Sequence, residues 1–197
     1  IVPLPDHLTG CSSITWYCDG SLVDGRWSAI RCSGFGLAAV TSDGDLVAYG
    51  LGWPPSWCDT AASAEAWAML TVLGFCPFVP PIRTDCQALL TTALAGNASA
   101  THHDRPLARV WSMVTHIVGD DLSSIVNSGK LVWMPAHKSQ KAVGVAKMSN
   151  GQLLTTIDWR ANRLVDGLAK AAAKSLAAPS QVSAFLRSAD AAAAHAA

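Results

Sequence analysis

The order of the apolar runs constrains the fold most. Three β-type segments come first, and only afterwards do helices alternate with short strands. Ile14 to Asp19 has the alternation of a strand and closes on the turn pair Asp19-Gly20. Gly34 to Thr41 and Leu46 to Leu51 are joined by Ser42-Asp43-Gly44-Asp45, a hairpin signal. After Trp53-Pro54-Pro55-Ser56-Trp57, the stretch Ala61 to Phe75 has helical composition, with Thr60 and Ser63 both available as N-caps. Ile82 to Thr84 is a short strand, Gln87 to Leu94 a short helix, and Pro106 to Val118 a helix with apolar residues three and four apart. Leu131 to Met134 is another buried-type strand. The last long helix is expected from about Trp159 to Leu176, with Asp158 as its cap. A meander followed by alternating units predicts an α/β chain built on a mixed sheet with helices packed against it.

Around this domain, expected over 13–177, residues 1–12 look like an irregular lead-in and 178–197 like an alanine-rich tail or linker. The polar, glycine-containing stretch 138–158 is a long loop insertion, and loops of this length are usually functional or mobile. The start Ile1-Val-Pro-Leu-Pro lacks Met and any signal-type core, so the chain is expected to be a piece of something longer. A hydrophobic fraction of 50% and zero net charge argue against disorder, and no apolar run is long enough to span a bilayer. The six cysteines include no Cys-x-x-Cys pair, which argues against zinc and disulfide frameworks. Reduced thiols and an intracellular location, cytoplasm or nucleus, are the expectation.

Net neutrality speaks against a nucleic-acid partner until the charges are placed. From Lys130 to Lys174 eight basic residues face only two acidic ones, so the C-terminal third is locally cationic. The acidic residues carry a second message, because the 14 of them include a single glutamate, Glu65. Glu65 interrupts a helix that is otherwise almost free of polar groups, where an unpaired buried carboxylate costs several kcal/mol. It is either a first-turn surface residue favoured by the helix dipole or a ligand of a divalent cation. Asp19 and Asp85 each close an apolar strand, as turn formers or as groups presented to a crevice. Asp166 and Lys170 are spaced for an ordinary i, i+4 pair. Yet Asn162, Asp166 and Lys170 form a polar stripe beside the apolar stripe Leu164, Leu168 and Ala172. Four carboxylates from two strand ends and two helices would make an all-oxygen site, suited to Mg²⁺ or Mn²⁺ rather than zinc. A pair of such ions is an arrangement for phosphodiester hydrolysis.

These fragments together resemble the ribonuclease H family over about Ile14 to Ala173. The resemblance rests on Tyr17-Cys18-Asp19-Gly20-Ser21, Thr60-Ala-Ala-Ser-Ala-Glu65, Thr84-Asp85-Cys86-Gln87-Ala88-Leu89, Trp133-Met134-Pro135-Ala136-His137 and Asn162-Arg-Leu-Val-Asp166-Gly-Leu-Ala169, in the family's order. It implies a five-stranded mixed sheet, three antiparallel strands then two parallel, with helices on both faces. It further implies an endonuclease that hydrolyses the RNA strand of RNA/DNA hybrids. Asp19, Glu65, Asp85 and Asp166 would hold two Mg²⁺ ions, with Mn²⁺ as a substitute, and His137 would assist proton transfer or product release. Gly20, Ser21, Cys86, Gln87 and Asn162 match positions that touch substrate.

Three departures refine the resemblance. Ala61 and Ala62 stand where cellular members carry asparagines, Gly96 to Asp104 is too short for a basic handle, and the stretch from His137 to Asp166 is unusually long. The pattern looks more like the ribonuclease H domain of a retroelement polyprotein, especially a non-LTR retrotransposon. An RNA/DNA hybrid and a tethered reverse transcriptase domain are then the expected partners, and a monomer the expected state. The competing expectation is an inactive module of the same fold that binds nucleic acid or a reverse transcriptase. An aspartic protease is excluded, because Asp19-Gly20-Ser21 has the wrong order for Asp-Thr/Ser-Gly.

Overall fold

Side chains in the first two strands sort alternately to two faces. Trp16, Cys18, Leu37 and Ala39 enter one apolar core, while Tyr17, Ala38 and Val40 enter another. A computed structural model describes residues 14–196, so the lead-in expected at 1–12, with Cys11, lies outside the described residues. Strands β1 (Ile14–Val23), β2 (Cys32–Thr41) and β3 (Leu46–Gly52) form the antiparallel part, and β4 (Ile82–Thr84) and β5 (Leu131–Trp133) add in parallel. The sheet order is β3-β2-β1-β4-β5, the five-stranded mixed sheet expected.

Helices cover both faces. Helix α1 (Ala61–Phe75) packs on β1 and β2 with α4 (Ala108–Val118) beyond it, while α6 (Thr156–Ser175) packs on the same strands from the other side. Two short helices, α3 (Gly96–Ala100) and α5 (Ser123–Asn127), join α2 (Gln87–Leu94) to α4 and β5. A final helix, α7 (Ser180–Ala196), occupies the segment expected to be a tail or linker. Its Ser183 hydroxyl donates to Asp24 and its Asp190 accepts from the Trp27 indole.

Three local expectations are corrected. Asp19-Gly20 is not a turn: β1 runs on to Val23 because β2 pairs with it throughout, Asp19 opposite Gly36 and Val23 opposite Cys32. The cap of α6 is Thr155, with Asp158 at the third helical position, each side chain accepting from the other's backbone N–H. Such a capping box satisfies two free donors at once and starts the helix three residues earlier. The buried stripe of α6 is Ala161, Val165, Ala169 and Ala172, leaving Leu164 exposed.

Small residues on that stripe meet glycines on β2. A Cβ on Gly36 would lie 2.4 Å from the Val165 carbonyl and 2.8 Å from the Ala169 nitrogen. The phase of α6 is fixed at its start, where the Tyr17 hydroxyl donates to Asp158 Oδ1 at 2.8 Å. The 138–158 segment is built rather than loose. It turns through Gln140–Ala142, folds back so that Leu154 N–H donates to the Ala146 carbonyl at 2.8 Å, and buries Met148 and Leu154 beside Met134. Ser149 ties it to β5, its hydroxyl accepting from Trp133 N–H at 2.9 Å.

Gly36→Ala is expected to cost about 2–3 kcal/mol, because its methyl meets helix backbone that cannot rotate away. A urea midpoint lowered at unchanged slope checks it, and an unaltered midpoint contradicts the close-packing account.

Candidate metal centre

Register begins the site. Cys18 on β1 pairs with Thr84 on β4, so the next residue of each strand direction, Asp19 and Asp85, emerge side by side. Trp133 holds the Asp85 backbone in place, its indole N–H donating to the Asp85 carbonyl at 2.9 Å. Glu65 arrives from the opposite layer because Gly20 lets α1 settle onto β1. A Cβ at Gly20 would stand 2.2 Å from the Ala61 carbonyl and 2.4 Å from the Glu65 nitrogen. This close approach is what Gly20 does in the fold.

One oxygen from each of Asp19, Glu65 and Asp85 lies within 4.8 Å of the others. Asp19 and Glu65 are only 6% and 4% exposed. Glu65 Oε1 accepts from the Thr84 hydroxyl and from Cys86 N–H at 3.2 Å, and Asp19 Oδ1 accepts from Gly20 N–H at 2.6 Å. Asp85 Oδ2 accepts from Asn162 Nδ2 at 3.1 Å. Asp166 lines the same groove of about 430 Å³, as do Gly20, Ser21, Cys86 and His137, but its carboxylate stands outside the cluster of three. It is paired with Lys170, at 2.7 Å, so the i, i+4 pair foreseen in the sequence forms. Gln87 is exposed at the start of α2 and does not line the groove, and Asn162 reaches the site through its bond to Asp85. His137 is exposed and held at a φ of 48°, a left-handed backbone uncommon outside glycine.

Sequence reasoning missed Thr84 and Trp133 as supports of the site. Thr84 sits inside a quoted motif, yet nothing in spacing says that its hydroxyl turns to Glu65. At the surface, His102, His103 and Asp104 also bring ligand atoms together, with Asp104 paired to both imidazoles.

Electrostatics give the cluster its character. Burial, then the neighbouring Asp85 charge, pushes the Asp19 carboxyl up to about 7. Burial, followed by Asp85 and Asp19, holds Glu65 well above the carboxylate range, against the lowering by Thr84 and Cys86. Four carboxylates line the groove with one ammonium, and that ammonium is committed to Asp166. Hard oxygen donors in excess of the local positive charge fit a divalent cation and no softer metal.

No family model matches the sequence, and no curated protein matches it. Solved structures do. The ribonuclease H domain of prototype foamy virus, solved in solution, is 18% identical with a TM-score of 0.51, over 82% of this chain and 94% of that one. The native protease-reverse transcriptase of the same virus gives 16% and 0.55, over 82% of this chain and 21% of that one. Its complex with an RNA/DNA hybrid gives 15% and 0.52, over 82% and 20%. The chain thus spans about a fifth of that viral enzyme. The chain has a ribonuclease H-like fold.

Asp19→Asn is expected to stabilise the metal-free protein, raising its thermal midpoint in EDTA at pH 8 by about 5 °C. The sign follows from linkage. A carboxyl raised above its unfolded value binds its proton more tightly when folded, so metal-free stability falls as pH rises from about 4 through 7. Mg²⁺ should restore stability at pH 8 in the wild type and far less in the variant, as read by calorimetry. A midpoint lowered by the substitution would contradict the repulsion.

Proposed function

We propose that this chain is an endonuclease that hydrolyses the RNA strand of RNA/DNA hybrids with the help of two Mg²⁺ ions. The observation that carries this reading is the cluster of Asp19, Glu65 and Asp85, two of them buried, mutually repelling and short of positive charge, at the edge of a groove in a ribonuclease H-like fold. Asp19, Glu65, Asp85 and Asp166 would hold the ions, which when bound supply an activated water and stabilise the departing 3′ oxygen.

The chain's own groups do the rest. Thr84 and Cys86 N–H fix the orientation of Glu65, Gly20 N–H that of Asp19, and Asn162 that of Asp85, so the carboxylates are aimed before substrate arrives. His137 stands at the rim of the groove, exposed to solvent, where an imidazole can carry a proton between the leaving group and water. Ser21 and Cys86 line the groove walls and would meet the strand's backbone, with Gln87 adjacent. The 2′-hydroxyl is the group by which RNA would be told from DNA. Foamy virus structures with a hybrid and within a reverse transcriptase make the hybrid the substrate to try first, and a tethered reverse transcriptase the partner.

One observation favours the second reading, a weak or inactive module that binds nucleic acid. Lys170 occupies Asp166, the fourth carboxylate. Its removal separates the two, because Lys170→Gln should lower the Mg²⁺ concentration needed for half-maximal activity if Lys170 merely stands in for a cation.

The test is a labelled RNA/DNA hybrid incubated with the protein and Mg²⁺. Cleavage confined to the RNA strand is expected, abolished by EDTA and by Asp85→Asn, and slowed about a hundredfold by His137→Ala. No Mg²⁺-dependent cleavage at micromolar protein would sink the nuclease reading.

A further inference from the structure

One level below the carboxylate cluster lies a second polar layer. In the parallel register Tyr17 on β1 pairs with Arg83 on β4, two residues before Asp19 and Asp85. Residues two apart on a strand share a face, so Tyr17 and Arg83 stand on the side of the sheet that α6 covers. Facing them on α6, Asp158 lies four residues before Asn162 and eight before Asp166.

The contacts repeat at the two levels. Below, the Tyr17 hydroxyl donates to Asp158 Oδ1 at 2.8 Å and Arg83 Nε lies 4.0 Å from the same oxygen. Above, Asn162 Nδ2 donates to Asp85 Oδ2 at 3.1 Å. Two residues of strand rise about 6.6 Å and four of helix about 6.0 Å, so the two levels stay in step. Asp158 cannot swivel out of this arrangement, because its Oδ2 accepts from the Thr155 N–H at 3.0 Å and the Thr155 hydroxyl at 2.6 Å.

As a source of stability the lower layer is a poor choice. Tyr17 and Asp158 are buried and the Arg83 side chain is only 14% exposed, yet Arg83 Nε and Nη1 find no acceptor among the described residues. A buried ion pair with unmet donors gains little over apolar side chains filling the same space, and the best-attested use of such a pair is to select one register. The small stripe of Ala161, Val165, Ala169 and Ala172 sets how closely α6 approaches the sheet. Contacts at Asp158 add what that stripe lacks, because hydrogen bonds are directional.

We infer that Tyr17, Arg83 and Asp158 are positioning residues that set the height of α6 against β1 and β4, and through it the hold of Asn162 on Asp85 and the affinity of the carboxylate cluster for a divalent cation. This rests on the metal reading above and adds to it a buried layer that touches neither cation nor substrate.

The experiment measures Mn²⁺ uptake by the whole chain from the electron-spin-resonance signal of the free ion, together with the thermal midpoint in EDTA. Tyr17→Phe and Arg83→Met nearly keep volume and remove the polar contacts. Each should weaken Mn²⁺ binding about three- to tenfold, and Arg83→Lys should return to within about twofold of wild type. Val110→Ala, a cavity in the opposite core, should lower the midpoint and leave Mn²⁺ binding within about twofold. A second readout needs no metal. The Asn162 side-chain amide, identified by its loss in Asn162→Asp, should exchange with solvent about tenfold faster in Tyr17→Phe and Arg83→Met, and at the wild-type rate in Val110→Ala. Mn²⁺ binding in the two variants no weaker than in Val110→Ala overturns the positioning, whatever the amide does. So does weaker binding with an unaltered amide, since the effect would not pass through Asn162. A wild type that takes up no Mn²⁺ fails the metal reading alone, and the amide then decides: unaltered exchange overturns the positioning, and faster exchange upholds it.

Discussion

Repulsion among Asp19, Glu65 and Asp85 is the constraint on which the rest of this molecule depends. Three carboxyl groups within 4.8 Å, two of them almost wholly buried, oppose folding unless something positive is supplied. The fold tolerates the arrangement through rigidity. Two parallel strands in fixed register set Asp19 beside Asp85, and a helix pressed onto a glycine adds Glu65 from above. Hydrogen bonds from Thr84, Cys86, Gly20 and Asn162 orient the oxygens yet cannot neutralise them, since none of these donors carries charge. Stability is given up locally to hold these carboxyls together, and a bound cation would relieve that cost.

Each supporting contact has a reason in this light. The Gly34 and Gly36 cradle and the small-residue stripe of α6 bring that helix down onto β2. Tyr17 and the Thr155-Asp158 capping box fix where it starts. With start and depth both set, Asp166 falls over the groove two turns later. Neither device touches the carboxylates, and both decide where the fourth one stands.

Much of this was legible in the sequence, and the limits are physical. The five strands, α1, α2 and a mixed sheet follow from apolar periodicity and turn chemistry, which are local, whereas the arrangement of the strands came from the resemblance. The single glutamate in an apolar helix pointed to the site because burial of charge is costly wherever it occurs. Asp19-Gly20 misled, because an Asp-Gly pair is a turn signal and only the tertiary packing of α1 reveals Gly20 as a seat for a helix. The α6 stripe misled similarly, because larger leucines outrank alanines in any hydrophobic count, whereas the glycines of β2 demand the small face. Thr84 and Trp133 were invisible as supports, since their roles arise from contacts across 19 and 48 residues.

The insertion between β5 and α6 brings these threads together. Its length marked it as a functional or mobile loop, and its burial of Met148 and Leu154 ties it into the core. Of the cations beside the groove, Arg163 is set over the Trp159 ring, while Ala61 and Ala62 at the start of α1 bring no polar side chain to the groove. Formal neutrality therefore conceals a division of labour. Negative charge is gathered in one groove, and the positive charge of Lys138 and Arg163 stands in a cleft beside it.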